Sequence, residues 1–401
     1  MSQERAMVTM IGAGTMGAGI AQVALEAGWL VAMHDPLPGA TNRARARIRE
    51  GLARRAAKAG VDADTLDGWI DGRLGHLSVA PTVAAAAADA HLVIEAIVED
   101  LEAKRRLFDE LSRSVGDDTI LATNTSALSV TDIAEAASRP ERVVGLHFFN
   151  PAPVLPLVEV VAGRRTAAWA AERAAGIVDG WDKTPIRVAD APGFIVNRVN
   201  RPFTLEPLRL LRSGAGSIES IDAALTGAGF PMGPFALMDL IGIDVNLAAA
   251  RGLFDASGRP PRFRPSPIQE ELVAAGRLGR KSGEGFYRYV DGRPAGPAAR
   301  FAGVSRNGPG APAPLDAETI AERVILAIVN EAFRALGDGV AEEHDIDRAM
   351  RLGANHPFGP FEWVARSGTH EVVVMLDALS DEDADTFRPA LPLLRRARSG
   401  G

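Results

Sequence analysis

Up to about residue 188 the chain alternates short, nearly continuous apolar runs with amphipathic stretches. The runs "AMVTMI", "WLVAMH", "HLVIEAIV", "TILATN", "RVVGLHFF" and "LVEVVAG" have the length and β-branched content of buried strands. Between two of them lies "LEAKRRLFDELSRSV", Leu101 to Val115, with apolar residues at helical spacing. Such alternation predicts a mostly parallel sheet covered by helices on both faces. One insertion breaks the rhythm directly after the second run. "ATNRARARIREGLARRAAKAG", Ala40 to Gly60, is helical and rich in Arg. It is either a solvated helix face or an arm that grips a polyanionic ligand.

Beyond "KTPIRVADAPGF" the strand signals fade. Residues 194–290 read as helices punctuated by Gly and Pro, closing on the Gly-rich "GRLGRKSGEGFYRY". Residues 291–314 are dense in Pro, Gly and Ala and read as a linker. The pattern then returns: "IDAALTGAGFPMGPFALMDLIG" (Ile221 to Gly242) reappears as "IDRAMRLGANHPFGPFEWVARSG" (Ile346 to Gly368), and Glu206 corresponds to Glu331. A period this long marks a duplicated domain instead of a solenoid. The expected organisation is an α/β domain over 1–188, with the arm at about 40–76. A first helical copy over 189–290, a linker over 291–314 and a second copy over 315–401 follow.

Composition narrows the function classes. The net charge of −7 and pI of about 5.6 argue against a general nucleic-acid or anionic-membrane surface. No apolar run reaches the length of a membrane span, and the start "MSQERAMVTM" has no signal-peptide core, so a cytoplasmic protein is expected. Without cysteine there are no disulfides, thiolate nucleophiles or thiolate zinc sites, and no metal is expected. Of 44 basic residues only Lys58, Lys104, Lys183 and Lys281 are lysines. Coding bias explains the arginines; the remaining lysines mark positions where a compact ammonium serves better than a planar fork.

Gly12, Gly14 and Gly17 form G-x-G-x-x-G between the first run and a helical stretch. The first glycine permits a tight turn, the second lets backbone approach a pyrophosphate, and the third lets helix and strand pack closely. The intervening Ala13, Thr15 and Met16 complete this cofactor loop. Asp35 ends the second run, eighteen residues past Gly17, where it accepts hydrogen bonds from ribose hydroxyls. Its charge repels a 2′-phosphate, so NAD(H) is expected over NADP(H).

Three further stretches carry reactive side chains. "NTSAL" presents Asn124, Thr125 and Ser126 at a strand's carboxyl end, where open α/β sheets bind ligands. "GLHFFNPAPVLPLVEV" places His147 and Glu159 on two strands, and "DAPGFIVNRV" places Asn197 at the opening of the helical region. Each has a plain alternative: a satisfied core histidine, or Ser and Asn capping helices.

Taken together, "IGAGTMGAGIAQV", "VIEAIVEDLEAKRRLF", "TNTSAL", "HFFNPAPV", "LVEV", "PGFIVNRV", "GAGFPMGPF" and "GRKSGEGFY" resemble the L-3-hydroxyacyl-CoA dehydrogenase family. The resemblance runs from about residue 7 to 290, and the repeat extends it to about 370. It is nearest to bacterial members that oxidise 3-hydroxybutyryl-CoA or 3-hydroxyadipyl-CoA. It implies a Rossmann-type NAD-binding domain followed by two copies of an all-α, 6-phosphogluconate-dehydrogenase-like C-terminal domain. It also implies reversible NAD-dependent oxidation of a 3-hydroxyacyl-CoA, as in β-oxidation. By that resemblance His147 is the general base, Glu159 orients it, and Ser126 and Asn197 bind the reacting oxygen and fix the acyl group. Glu99, Lys104, Asn150 and Lys281 fall on cofactor contacts, and Lys58 on a coenzyme A contact, which gives the arm a function.

Two positions depart from the family pattern. Gly51 replaces a serine that helps hold coenzyme A, and Pro156 stands where Lys is common. In the second copy Glu322 occupies the place of Asn197, so that copy reads as structural. It can take the position of a partner subunit within one chain, giving a monomer with an internal pseudo-dimer; a homodimer through another surface is the alternative. Two rival functions are a related dehydrogenase acting on a free hydroxy acid and a non-catalytic NAD(H)-binding protein. The acyl chain stays open: Arg201, Arg262 and Arg264 can each meet a distal carboxylate or simply be solvated.

Overall fold

The computed structural model describes residues 6–302 and 313–399. The chain divides into two units that meet in sequence between Phe194 and Ile195. The first contains β1 (Met7–Ile11), α1 (Thr15–Glu26), β2 (Leu30–His34), α2 (Ala40–Lys58), α3 (Ala63–Leu74), β3 (Leu77–Val79), α4 (Val83–Ala87) and β4 (Leu92–Glu95). It continues through α5 (Leu101–Ser114), β5 (Ile120–Thr123), α6 (Val130–Ala134), β6 (Val143–Phe148), β7 (Leu157–Ala162), α7 (Ala168–Gly180) and β8 (Thr184–Ala189).

One sheet joins the strands in the order β3-β2-β1-β4-β5-β6-β7-β8. From β3 to β6 every pairing is parallel; β7 runs antiparallel to β6, and β8 parallel to β7. All six apolar runs form strands. β3 escapes the hydrophobic pattern because only Leu77 of its three residues is buried. The core sits where sheet residues such as Met10, Ile94 and Val144 meet Ile20 and Leu25 of α1.

The Arg-rich insertion is amphipathic after all. Ala44, Ile48, Leu52 and Ala56 form a buried row at intervals of four along α2, so the arginines occupy the remaining faces. The first unit extends six residues past the expected boundary at 188 for a specific reason. Asp190 accepts hydrogen bonds from Ser129 Oγ (2.8 Å) and from the backbone N–H groups of Val130 (3.0 Å) and Thr131 (2.7 Å). The turn after β8 is thereby fastened to the start of α6.

The second unit begins with α8 (Val196–Val199), α9 (Pro202–Ser213), α10 (Ile218–Gly227), α11 (Pro234–Ile241), α12 (Ile243–Ala256) and α13 (Pro267–Ala274). A hairpin of β9 (Tyr287–Val290) and β10 (Arg293–Pro297) closes this copy. Residues 293–297, expected within a linker, are therefore a strand; residues 303–312 lie outside the described residues. The second copy comprises α14 (Ala317–Gly337), α15 (Glu343–Gly353), α16 (Pro360–Ser367), α17 (Thr369–Ser380), α18 (Ala384–Phe387) and α19 (Leu391–Arg398).

The two copies share an anchoring device. The Asp222 carboxylate accepts from the N–H groups of Phe235 and Ala236 at the start of α11 (2.9 and 3.1 Å). The Asp347 carboxylate accepts from Phe361 and Glu362 at the start of α16 (2.8 and 3.0 Å). A Cβ on Gly233 or Gly359 would collide with the corresponding aspartate, which explains both glycines. Burial pushes both carboxyls up to about 6.

The copies join through reciprocal ion pairs. Arg198 of the first meets Glu331 of the second (2.7 Å), and Arg323 of the second meets Glu206 of the first (2.6 Å). Both glutamates are at most 1% exposed, and each arginine also holds a second, exposed carboxylate, Asp338 for Arg198 and Glu382 for Arg323. α14 packs against both α9 and α10 and buries thirteen of its 21 residues, too many for a helix with one covered side. A chain ending at residue 290 uncovers the α9–α10 face. Light scattering should then show dimers or aggregates, with NADH binding retained; a monodisperse monomer would overturn this view of the duplication.

Candidate active site

The glycine loop behaves as its sequence requires. Gly12 has φ of +103°, and a Cβ there would lie 2.5 Å from the Ala96 carbonyl oxygen on the neighbouring strand's exit. A Cβ on Gly17 would lie 2.0 Å from the Gly12 carbonyl oxygen. Gly14 differs: it is exposed, and a Cβ there would meet no protein atom within 4 Å. Protein packing explains the first and third glycines, whereas the second faces open space in front of α1. Gly14 is also the N-cap of α1, with no side-chain cap and no acidic residue in the first turn. Free N–H groups and the positive end of a twelve-residue helix therefore face that space, as a pyrophosphate needs. Ala13 is buried beneath the loop, Thr15 is exposed at its rim, and Met16 packs on the core.

Asp35 supports the loop from below. One carboxylate oxygen accepts from Ala13 N–H (2.8 Å) and the other from Leu37 N–H (2.9 Å). Each oxygen keeps acceptor capacity for a ribose hydroxyl, in an orientation already fixed. The residues present fit a dinucleotide with an unphosphorylated 2′-hydroxyl.

His147 and Glu159 face each other across β6 and β7 as directly paired residues of the antiparallel register. The His147 Nδ1 to Glu159 Oε2 distance is 2.6 Å; Glu159 is fully buried and His147 is 6% exposed. Phe149 and Phe194 flank the imidazole, with ring centroids 4.5 and 5.8 Å away. With Nδ1 committed to the carboxylate, Nε2 is the nitrogen left to exchange a proton.

Ser126 is exposed beyond the carboxyl end of β5, the strand beside β6. Its N–H donates to Glu99 Oε1 (2.9 Å), which also accepts from Thr125 Oγ1 (2.6 Å). Lys104, 1% exposed, lies 2.6 Å from Glu95 and 3.3 Å from Glu99. Burial works against the Glu99 charge, but Lys104 and the Thr125 and Ser126 hydrogen bonds hold its carboxyl below the usual range. Glu95 was missed from sequence. It is fully buried and also accepts from Thr123 Oγ1 (2.7 Å) and Ile97 N–H (2.7 Å). Its signal was an acidic residue inside the otherwise apolar "LVIEAIV".

Lys58 and Asn150 meet at one cavity of about 440 Å³ between α1, α2 and the loop after β6. Arg47, Arg54 and Arg55 line it too, with Glu50 among them. Gly51 also lines this cavity, and a Cβ there would come within 1.9 Å of Gln22 Oε1, so Gln22 takes the space a serine side chain would use. Lys183, which had no assigned part, is buried and donates to the carbonyls of Ala152 (2.6 Å) and Leu155 (3.0 Å). Burial pushes its ammonium below the usual range. It fastens the loop carrying Asn150, in a space that suits an ammonium better than a guanidinium.

The other expected residues belong to the second unit. Asn197 is half-buried on α8. Lys281 lies in the 3-10 turn Arg280–Ser282, where its ammonium contacts both Asp244 oxygens (2.6 and 2.8 Å). Of the arginines considered for a distal carboxylate, Arg262 pairs with Glu331 (2.9 Å), Arg264 is exposed and Arg201 is buried.

A helix start open to a pyrophosphate, an acidic residue below it and a carboxylate-held histidine at the same sheet end define a nicotinamide-dependent dehydrogenase. Comparison with known proteins narrows the class. Residues 7–191 match the 3-hydroxyacyl-CoA dehydrogenase NAD binding domain, and residues 193–289 and 320–400 each match its C-terminal domain. The chain is 39% identical to the 3-hydroxyadipyl-CoA dehydrogenase of Escherichia coli over 97% of each protein. It is 41% identical to the mitochondrial hydroxyacyl-coenzyme A dehydrogenase of Rattus norvegicus, over 70% of this chain and 90% of that one. A solved structure of 3-hydroxybutyryl-CoA dehydrogenase from Escherichia coli superposes with a TM-score of 0.87 at 36% identity, covering 99% of both chains. The chain belongs to the 3-hydroxyacyl-CoA dehydrogenase family. It is an NAD-dependent oxidoreductase acting on the CH–OH group of a 3-hydroxyacyl-CoA.

Asp35 sets a checkable preference. kcat/KM with NADH should exceed that with NADPH, and Asp35→Ser should narrow the ratio by at least about tenfold, one carboxylate's repulsion being worth over 1 kcal/mol. Equal use of both cofactors by the unaltered enzyme would contradict the assignment.

Proposed function

We propose that the protein is an (S)-3-hydroxyacyl-CoA dehydrogenase in which His147 is the general base, with 3-hydroxybutyryl-CoA as substrate. The observation that carries this is the 2.6 Å pair between His147 Nδ1 and buried Glu159. Bound NAD supplies the hydride acceptor for C3. His147 Nε2 takes the proton of the 3-hydroxyl, and Glu159 keeps the ring in the required tautomer and stabilises the imidazolium. Ser126 and Asn197 hold the reacting oxygen and so fix C3 for transfer. Glu99 serves the cofactor, and Lys104 acts from beneath by setting the position and charge of Glu99. Thr15, Asn150 and Lys281 complete the cofactor contacts. The phosphates of coenzyme A meet Lys58 and its neighbouring arginines in the cavity beside α2.

A second reading, 3-hydroxyadipyl-CoA as substrate, is supported by the buried Arg201. Among the described residues no helix is long and apolar enough to cross a membrane. The cysteine-free composition fits a cytoplasmic setting, and the ion-paired copies support a monomer with an internal pseudo-dimer.

His147→Gln should lower kcat by about two to four orders of magnitude, the usual worth of a positioned general base. NADH affinity, read by fluorescence quenching, should barely change. A variant keeping a third of the original kcat would remove His147 from the mechanism. For the substrate class, oxidation of NADH at 340 nm with acetoacetyl-CoA should far outpace that with free acetoacetate; equal rates would favour a free hydroxy acid instead.

A further inference from the structure

A cavity of about 570 Å³ opens in the second unit, where α14, α18 and α19 pack together beside the 3-10 turn Pro261–Phe263 of the first copy. It shares no residue with the cavity beside α2, and none of its lining residues takes part in the reaction proposed above. Arg262, Arg334, Arg388 and Arg395 line it, against the carboxylates of Asp338 and Asp385 alone. That is an excess of two positive charges in a chain whose net charge is −7.

The carboxylates are already engaged. Asp338 holds Arg198 (2.6 Å), and Asp385 accepts from the Arg262 N–H (2.6 Å) and lies 3.6 Å from its guanidinium. Glu331, 1% exposed, is divided among Arg198, Arg262 and Arg334. Arg388 and Arg395 are exposed, and their side chains have no hydrogen bond or ion pair among the described residues.

Arg334 is poorly supplied for a half-buried guanidinium with five donors. It donates to the Arg388 carbonyl at 3.2 Å and lies 3.6 Å from Glu331. Its counterpart at the repeat offset, Arg209, is closed in by the protein. Arg209 meets Glu206 (2.9 Å), Thr386 Oγ1 (3.1 Å) and the carbonyls of Pro261 (3.3 Å) and Arg262 (2.8 Å). Burial, joined by the Arg262 charge, pushes the Arg334 guanidinium below its usual range, against the pull of Glu331.

Two further features shape the cavity for a ligand. Ala390, Leu391 and Pro392 at the start of α19 form part of its wall. No side chain caps that start and its first turn has no acidic residue, so the positive end of an eight-residue helix adds to the field. Leu391 is 69% exposed and with Pro389 and Pro392 offers an apolar surface beside the guanidiniums.

We propose that this cavity binds the phosphate monoester of a nucleotide-sized small molecule. The dianion lies among Arg334, Arg388 and Arg395, and the organic part rests on Leu391 and Pro392. A phosphate dianion matches the excess charge and accepts the forked hydrogen bonds of guanidinium groups. The volume falls within the range of about 300–1,000 Å³ typical of small-molecule sites, more than a phosphate ion alone fills.

The probe is AMP, titrated calorimetrically into the full chain already saturated with NADH and coenzyme A, so that the phosphate sites of the dehydrogenase reaction are filled. One AMP should bind per chain, more weakly as ionic strength rises. The double variant Arg388→Ala, Arg395→Ala should lose affinity by about tenfold or more, each lost charged hydrogen bond being worth over 1 kcal/mol. Without AMP its kcat/KM with acetoacetyl-CoA and NADH should equal that of the unaltered chain, which also shows that it folds. Inorganic phosphate should bind at least about tenfold more weakly than AMP, because it leaves the apolar wall uncovered. No heat from AMP, or unchanged affinity in the double variant, would overturn the proposal while the dehydrogenase reading stands. Equal affinity for inorganic phosphate would overturn it as well, the cavity then taking a free anion.

Discussion

One reversal in an otherwise parallel sheet sets the central polar pair of the first unit. Here β7 returns antiparallel, so His147 and Glu159 become direct cross-strand neighbours, held by a ladder of backbone hydrogen bonds. The carboxylate is thus placed by sheet geometry instead of by a flexible loop, and it stays fully buried. The loop between these strands carries Asn150 and lines the cationic cavity, so the same reversal also shapes that cavity. Lys183 then secures that loop by its carbonyls.

A second layer of organisation lies beneath the cofactor loop. Glu95 and Lys104 form a buried pair that extends through Glu99 to the backbone of Ser126. Buried charges of this kind are costly unless every partner is present, and here Thr123, Thr125 and backbone N–H groups supply them. The network makes the carboxyl ends of β4 and β5 one rigid edge.

In the second unit the duplication behaves as an isologous interface written into one chain. Each copy contributes an arginine and receives one on a buried glutamate, as a two-fold dimer would do. The second copy keeps the residues that anchor its helices, such as Asp347 and Gly359, and carries Glu322 where the first copy has Asn197.

Much of this was legible from sequence because it rests on local rules. Strand and helix periodicity, the spacing of Gly12, Gly14, Gly17 and Asp35, and the repeat offset are properties of neighbouring positions. The family resemblance added roles for His147, Glu159, Ser126 and Asn197 that isolated residues could not carry. What sequence left undecided were partnerships across distance. β3 offers only one buried residue as a signal, and the 293–297 strand hides in Pro- and Gly-rich composition. Glu95 looks like any acidic residue at a strand end until Lys104 and Thr123 surround it. The three candidate arginines, 201, 262 and 264, are indistinguishable as letters. Folding pairs one with Glu331, exposes another and buries the third with no carboxylate partner among the described residues. Local pattern determines which elements form, whereas the cost of burying charge is settled only when those elements pack.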